Sequence, residues 1–190
     1  MFRMRYRTIQ LSLLCLLMSS LAALSQGFPL PTWEHTLRTQ LPLLGHRNWI
    51  VIADAAYPWQ TAPGIETVYA DAEQLKVVKA VLDALTRTKH VKPIIHTDAE
   101  LKHVAETNAP GITAYRTGLD KLLAQRPVQV LPHESIIGKL DEAGKTFKVL
   151  LIKTPLTLPY TSVFLQLDCG YWNADAESEL RAAIKAAGGK

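Results

Sequence analysis

Five consecutive apolar residues, Trp49-Ile-Val-Ile-Ala53, lie between the polar run His46-Arg-Asn48 and Asp54. So short, unbroken and β-branched a run predicts a strand buried on both faces, which a sheet provides only where helices cover it on either side. The surrounding pattern supplies those helices. Trp33, Leu37, Leu41 and Leu44 share one helical face, with Thr32 placed to cap it and Gly45 to stop it. Asp71 is expected to cap a second helix that turns Leu75, Val78, Leu82 and Leu85 inward. Further helices are expected from Asp98 to about Glu106, Thr113 to Ala124, Glu134 to Leu140, and onward from Asp175. Strands are expected at Val91–Ile95, Val128–Leu131, Phe147–Ile152 and Ser162–Leu167, with Pro93 marking an edge or an irregular start. Ala56-Tyr-Pro-Trp59 and Ala62-Pro-Gly64 read as an irregular loop. Strands alternating with helices, without repeat or linker across residues 33–187, imply a single α/β domain of three layers around a largely buried central sheet.

Charge narrows the function. The 190 residues carry a formal net charge of +4, but Arg3, Arg5 and Arg7 precede the first acidic residue, Glu34. Without the first 25 residues, 18 basic side chains face 17 acidic ones, and no basic stripe of the kind that binds nucleic acid remains. That basic start, the apolar run from Ile9 to Leu24 and the small residues Ala23 and Ser25 have the form of a secretory signal peptide over 1–25. Cleavage near Ser25 would leave residues 26–190 as an exported domain, periplasmic or secreted. An uncleaved membrane anchor is the alternative, although the run falls short of the usual span of about 20 residues. Cys15 belongs to the leader, so Cys169 would be the one thiol of the mature chain and internal disulfides are excluded. At the end of an apolar strand, Cys169 reads as a small buried hydrophobe.

Several motifs could carry chemistry. His46 precedes the buried strand and Asp54 follows it, and polar residues at strand ends often line a site at the sheet edge. A helix-end imidazole and a turn cap account for the same two residues equally simply. His90, His96 and His103 are spaced six and seven apart, unlike a helical metal pair, and read as exposed helix-end histidines. Of the four tryptophans, two suit the core, and Trp59 in the Pro-containing loop is the best candidate for stacking on a sugar. No phosphate loop, Gly-x-Ser-x-Gly or Cys-x-x-Cys is present.

The stretch Leu44-Gly-His-Arg-Asn-Trp-Ile-Val-Ile-Ala-Asp-Ala55 resembles the ribose pyranase and fucose mutarotase family, whose motif is Gly-His, an apolar strand and Asp-Ala. Leu131-Pro-His-Glu-Ser135 and Leu158-Pro-Tyr-Thr-Ser-Val-Phe164 match two later family segments in the right order. The resemblance, over residues 33–172, implies His46 as proton donor and Asp54, His133, Tyr160 and Ser162 as substrate-binding residues. Ser162 stands where the family usually has Asn, keeping one donor but losing the reach of the amide. The function implied by the resemblance is that of a cofactor-independent isomerase, with no metal, that opens and recloses a free monosaccharide. The family's ring-shaped homo-oligomers imply sites at subunit interfaces. An exported, non-catalytic monosaccharide-binding protein is the second reading, and a secreted metal-dependent hydrolase the third.

Spacing sets a geometric condition. Eight residues of extended chain place His46 and Asp54 about 26 Å apart. Either the ends of the strand curl inward, or a neighbouring copy completes the pocket, with Tyr160 and Ser162 entering from the adjacent chain.

Overall fold

The structure is a computed structural model and describes residues 32–188. The leader of residues 1–25 lies outside the described residues.

Strand β1, Trp49–Ala53, is buried at every position. The remaining strands are β2 (Ile65–Tyr69), β3 (Val91–Asp98), β4 (Val128–Leu131), β5 (Val149–Lys153) and β6 (Val163–Cys169). They form one sheet in the order β2-β5-β1-β6-β3-β4, in which β6 alone runs antiparallel to its neighbours. Helices α1 (Trp33–Gln40), α2 (Gln74–Thr86), α3 (Ile112–Leu123), α4 (His133–Thr146) and α5 (Ala174–Ala186) follow in chain order.

Alternation along β1 divides the core into two. Ile50 and Ile52 face a cluster that includes Leu37 of α1, Val78 and Leu82 of α2, and Leu119 of α3. Trp49, Val51 and Ala53 face the opposite cluster with Ile136, Leu140 and Ala143 of α4. The sheet is therefore the middle of three layers, as its apolar runs imply. Helix α5 has no buried residue.

Local signals decide several boundaries. Thr32 caps α1, its hydroxyl accepting from the His35 amide, and Pro42 ends the regular helix in a 3₁₀ turn over Leu41–Leu43. Asp71 caps nothing: α2 begins at Gln74, behind Glu73. Strand β3 continues through Pro93 to Asp98, because β4 joins it only from Ile95 onward and Pro93 precedes that pairing. The expected helix from Asp98 is only a 3₁₀ turn, Ala99–His103.

Strand β2 has no counterpart in the sequence expectations. It is a five-residue edge strand, half-buried along most of its length, and Glu66 within it bonds Lys148 and Gln40. Helix α4 also outruns its expected end at Leu140, passing through Gly144 to Thr146. Gly64, just before β2, donates its N–H to the Gly144 carbonyl at 3.0 Å and accepts from the Val149 N–H at 2.9 Å. A Cβ on Gly64 would press far inside van der Waals contact with the backbone oxygens of Phe147 and Gly144.

Two glycine substitutions should consequently act in opposite directions. Gly64→Ala is expected to lower unfolding free energy by about 1–3 kcal/mol through overpacking. A Cβ on Gly138, exposed within α4, meets nothing within 4 Å. Gly138→Ala should raise stability by up to about 1 kcal/mol. Urea titration of both variants against the parent checks the two signs.

Candidate functional site

Because β1, β5, β3 and β4 run in the same direction, their C-terminal ends lie along one edge of the sheet, where the start of β6 joins them. Read across that edge, the chain sets out Thr154, Asp54, Ser162, Asp98 and His133. Ligands of open α/β sheets bind at this carboxyl edge, where the strands end and side chains of several segments converge.

Asp54 leaves the end of β1. Its Oδ1 accepts from the Ala56 N–H at 2.9 Å, and its Oδ2 accepts from the Ser162 hydroxyl at 3.0 Å. A carboxylate offers about four acceptor positions, so half of them stay free for a ligand. Lys153, at the end of β5, donates to the Tyr57 carbonyl at 2.6 Å and pins the loop that follows Asp54. The Tyr57 ring is buried, and its hydroxyl has no hydrogen-bond partner among the described residues. Burial, reinforced by the carboxylates of Asp141, Asp98 and Asp54, pushes that hydroxyl up and keeps it a neutral donor.

Tyr160 precedes Ser162 by two residues and has φ of 57°, a left-handed backbone that a non-glycine residue adopts at a cost. A buried polar network holds it there. Thr154 Oγ1 lies 2.8 Å from Gln74 Oε1, and Gln74 Nε2 donates to the Thr161 carbonyl and the Tyr115 hydroxyl. The Tyr115 hydroxyl also donates to Thr161 O at 2.6 Å. Thr161 is thereby tied to α2 and α3, which fixes its neighbours on both sides. The Tyr160 ring meets His133 edge-on, centroids 5.5 Å apart at 82°. One short segment thus links His133 through Tyr160 and Asp54 through Ser162.

His133 is the first residue of α4. Its backbone N–H donates to both carboxylate oxygens of Glu100, at 3.0 and 3.1 Å, a placement that also suits the positive end of the helix. Its ring Nδ1 approaches Asp98 Oδ1 to 3.1 Å. Asp98 is 2% exposed and, among the described residues, has no aligned hydrogen bond to either oxygen. Burial pushes its carboxyl up to about 6, against the pull of His133, with Glu100 and Asp54 adding to the rise.

His46 does not join this group within the chain. The Arg47 N–H donates to Leu167 O at 2.9 Å, and the Leu167 N–H to Asn48 O at 2.8 Å, so His46 lies beside the far end of β6. Leu167 and Ser162 are five residues apart on that strand, about 17 Å. The ends of β1 do not curl together. Asp54 also shares its hydrogen bond with Ser162 of the same chain, so His46, and not the Tyr160–Ser162 segment, is the separated member. Arg47 beside it has φ of 72°, the other non-glycine residue in the left-handed region among the described residues.

The remaining histidines and tryptophans sort by burial. His90 Nε2 meets the carbonyls of Leu41 and Leu44 at the end of α1's 3₁₀ turn, and His103 is exposed. His96 departs from the expectation of an exposed helix-end residue. It lies in β3, is 2% exposed and stacks on Trp49 at 5.4 Å. Burial, with Lys139 adding to it, holds its imidazole below the usual range against the opposing influence of nearby Gln166. Trp59 is 84% exposed, whereas Trp49 belongs to the core. Cys169 is a half-buried free thiol.

Sequence reasoning misses Asp98, Glu100, Tyr57 and the Gln74 network. Asp98 lies at the end of an apolar run, as Asp54 does, and that parallel is the available signal.

The raised carboxyl of Asp98 has a consequence for stability. Between about pH 4 and 6 the folded chain keeps a proton there that the unfolded chain has lost, so the group's contribution declines as pH rises through that window. His96 acts in the opposite sense near its unfolded pKa, so the difference between variant and parent isolates Asp98. Asp98→Asn should gain up to about 3 kcal/mol relative to the parent between pH 4 and 7. Urea titrations at four pH values measure it, and equal slopes for the two proteins would contradict it.

No family model and no curated protein matches the chain. Solved structures do. A structure of Bacillus subtilis RbsD complexed with D-ribose is 23% identical, with a TM-score of 0.49 over 70% of this chain and 91% of that one. The fucose mutarotase from Streptococcus pneumoniae, in complex with L-fucose, is 18% identical, with a TM-score of 0.47 over 75% and 97%. FucU from Bifidobacterium longum is 17% identical, with a TM-score of 0.48 over 70% and 93%. Solved structures that this chain is similar to thus include RbsD and FucU proteins.

Proposed function

We propose that the protein is a monosaccharide isomerase that opens and recloses a free sugar ring by proton transfer, at a site shared between copies of the chain. The observation that carries this reading is the in-chain cluster of Asp54, Ser162, Tyr160 and His133, the residues of three motifs far apart in sequence. Their chemistry fits a polyhydroxylated ligand. Asp54 has free acceptor positions for paired hydroxyls, and Tyr160, 39% exposed, offers an aromatic edge and a hydroxyl.

Ring opening needs a proton for the ring oxygen and removal of the proton on the anomeric hydroxyl. Reclosure on the other carbonyl face inverts the anomer, and reclosure through another hydroxyl changes ring size. His46 is assigned as the acid, since an ordinary imidazole exchanges protons near neutral pH. Its position at the opposite sheet edge is compatible with this role only if it reaches the cluster of a second copy. A closed ring of copies repeats such a head-to-tail contact at every interface. The leader supports export of the assembled protein.

Two variants test the shared site. His46→Ala and Asp54→Asn should each abolish the acceleration of anomer exchange, read by saturation transfer between anomeric protons of ribose or fucose. Subunits mixed after dissociation should then recover exchange at about a quarter of the sites, because random pairing reunites the two intact residues there. Full activity in a His46→Ala protein, or in a monomer by light scattering, would contradict the proposal. Sugar binding by the parent with no change in exchange rate would favour the non-catalytic binding protein.

A further inference from the structure

Asp98 poses a question that sugar binding by Asp54 and Ser162 does not answer. A carboxylate this deeply buried normally accepts several hydrogen bonds, since leaving it without them is costly. Among the described residues, Asp98 has one close polar approach, the 3.1 Å contact with His133 Nδ1, and no aligned partner on either oxygen. The arrangement around His133 is over-determined in a way that a ring merely lying on a sugar does not need. Glu100 fixes its backbone, Asp98 faces one ring nitrogen, and Tyr160 packs against the ring from the side. Both carboxylates come from the junction of β3 with its 3₁₀ turn, so one element holds the histidine twice. The side chain nevertheless remains 29% exposed. With Nδ1 turned to Asp98, Nε2 is the nitrogen left for a ligand.

We infer that Asp98 and His133 form a carboxylate–imidazole dyad in which His133 is a second proton-transfer group and Asp98 is its positioning residue. This rests on the isomerase reading and deepens it. Asp98 favours the tautomer with hydrogen on Nδ1 and leaves Nε2 as the base. Nε2 takes the proton of the anomeric hydroxyl as the bond between the anomeric carbon and the ring oxygen breaks. The electron pair of that bond goes to the ring oxygen, which is protonated by His46 of a second copy, and the anomeric carbon becomes a carbonyl. The imidazolium formed on His133 is stabilised by the Asp98 carboxylate. Closure returns the proton by the same route, so no oxidant, reductant or metal enters the balance. The titratable groups facing Asp98 and His133 are Glu100 from the 3₁₀ turn, Asp54 just after β1, the Tyr57 hydroxyl from the following loop, Tyr160 beside the imidazole and the Tyr115 hydroxyl from α3.

Activity and tautomer test the dyad separately. His133→Gln should lower anomer exchange of ribose or fucose by roughly 10²-fold or more. Asp98→Asn should lower it by roughly tenfold or more while sugar affinity changes less than threefold, and Asp98→Glu should recover part of the loss. The parent's exchange rate should fall on the acid side as the dyad takes up a proton, and Asp98→Asn should move that limb to lower pH, because the imidazole then lacks its carboxylate partner. Nitrogen NMR of histidine-labelled, sugar-free parent should find His133 protonated at Nδ1, whatever its activity. An Nε2–H tautomer there, or an Asp98→Asn protein that folds and matches the parent from pH 5 to 8, would overturn the dyad and leave the isomerase reading in place. A parent that accelerates no exchange would remove both.

Discussion

Strand β1 is buried on both faces and paired along both edges, with β5 on one side and β6 on the other. Nothing polar can be carried along its length without a cost in unsatisfied groups, so its polar residues are forced to its two ends. This constraint shapes everything functional in the chain. It sets Asp54 on the carboxyl edge of the sheet, among the ends of the other parallel strands, and it sets His46 on the opposite edge. The sheet between them is a rigid spacer, and its length is fixed by the apolar run that forms the core.

The carboxyl edge is built by long-range contacts. Asp54 meets Ser162 across 108 residues of sequence, and Gln74 reaches Thr161 across 87. The two together hold the Tyr160–Ser162 segment, including its left-handed residue, between the loop after β1 and the helices on the far face. Such a frame allows polar side chains to be presented to a ligand with little freedom to be lost on binding. His133 is held just as firmly from the β3 side. The result is two halves of one edge, one built around the Asp54–Ser162 hydrogen bond and one around the contact of His133 with Asp98.

Much of the fold is legible in the sequence because it follows from local pattern. The continuous run of β1 and the recurrence of apolar residues with helical period imply the three layers, and β1 and β4 begin and end where expected. The features that escape are set by tertiary packing. Strand β2 is an edge strand whose Ile65 and Val68 look unremarkable beside a Pro-Gly turn. Helix α4 carries a glycine at position 144 because Ile65 packs where a Cβ would stand. At the site, Asp54, Tyr160 and Ser162 are legible through motif order, and their shared geometry agrees with grouping them. Asp98 reads as a helix start, since an Asp before Ala-Glu-Leu looks like a cap until the sheet order brings His133 to its side.

The central claim is that an imidazole on one edge of the sheet serves a cluster on the opposite edge of another copy. The most direct measurement is the structure of the assembled protein with a monosaccharide bound. The account requires one sugar ring within hydrogen-bond reach of His46 from one copy and of Asp54 and Tyr160 from its neighbour. His46 opening onto solvent or onto a separate cavity at every contact between copies would contradict it.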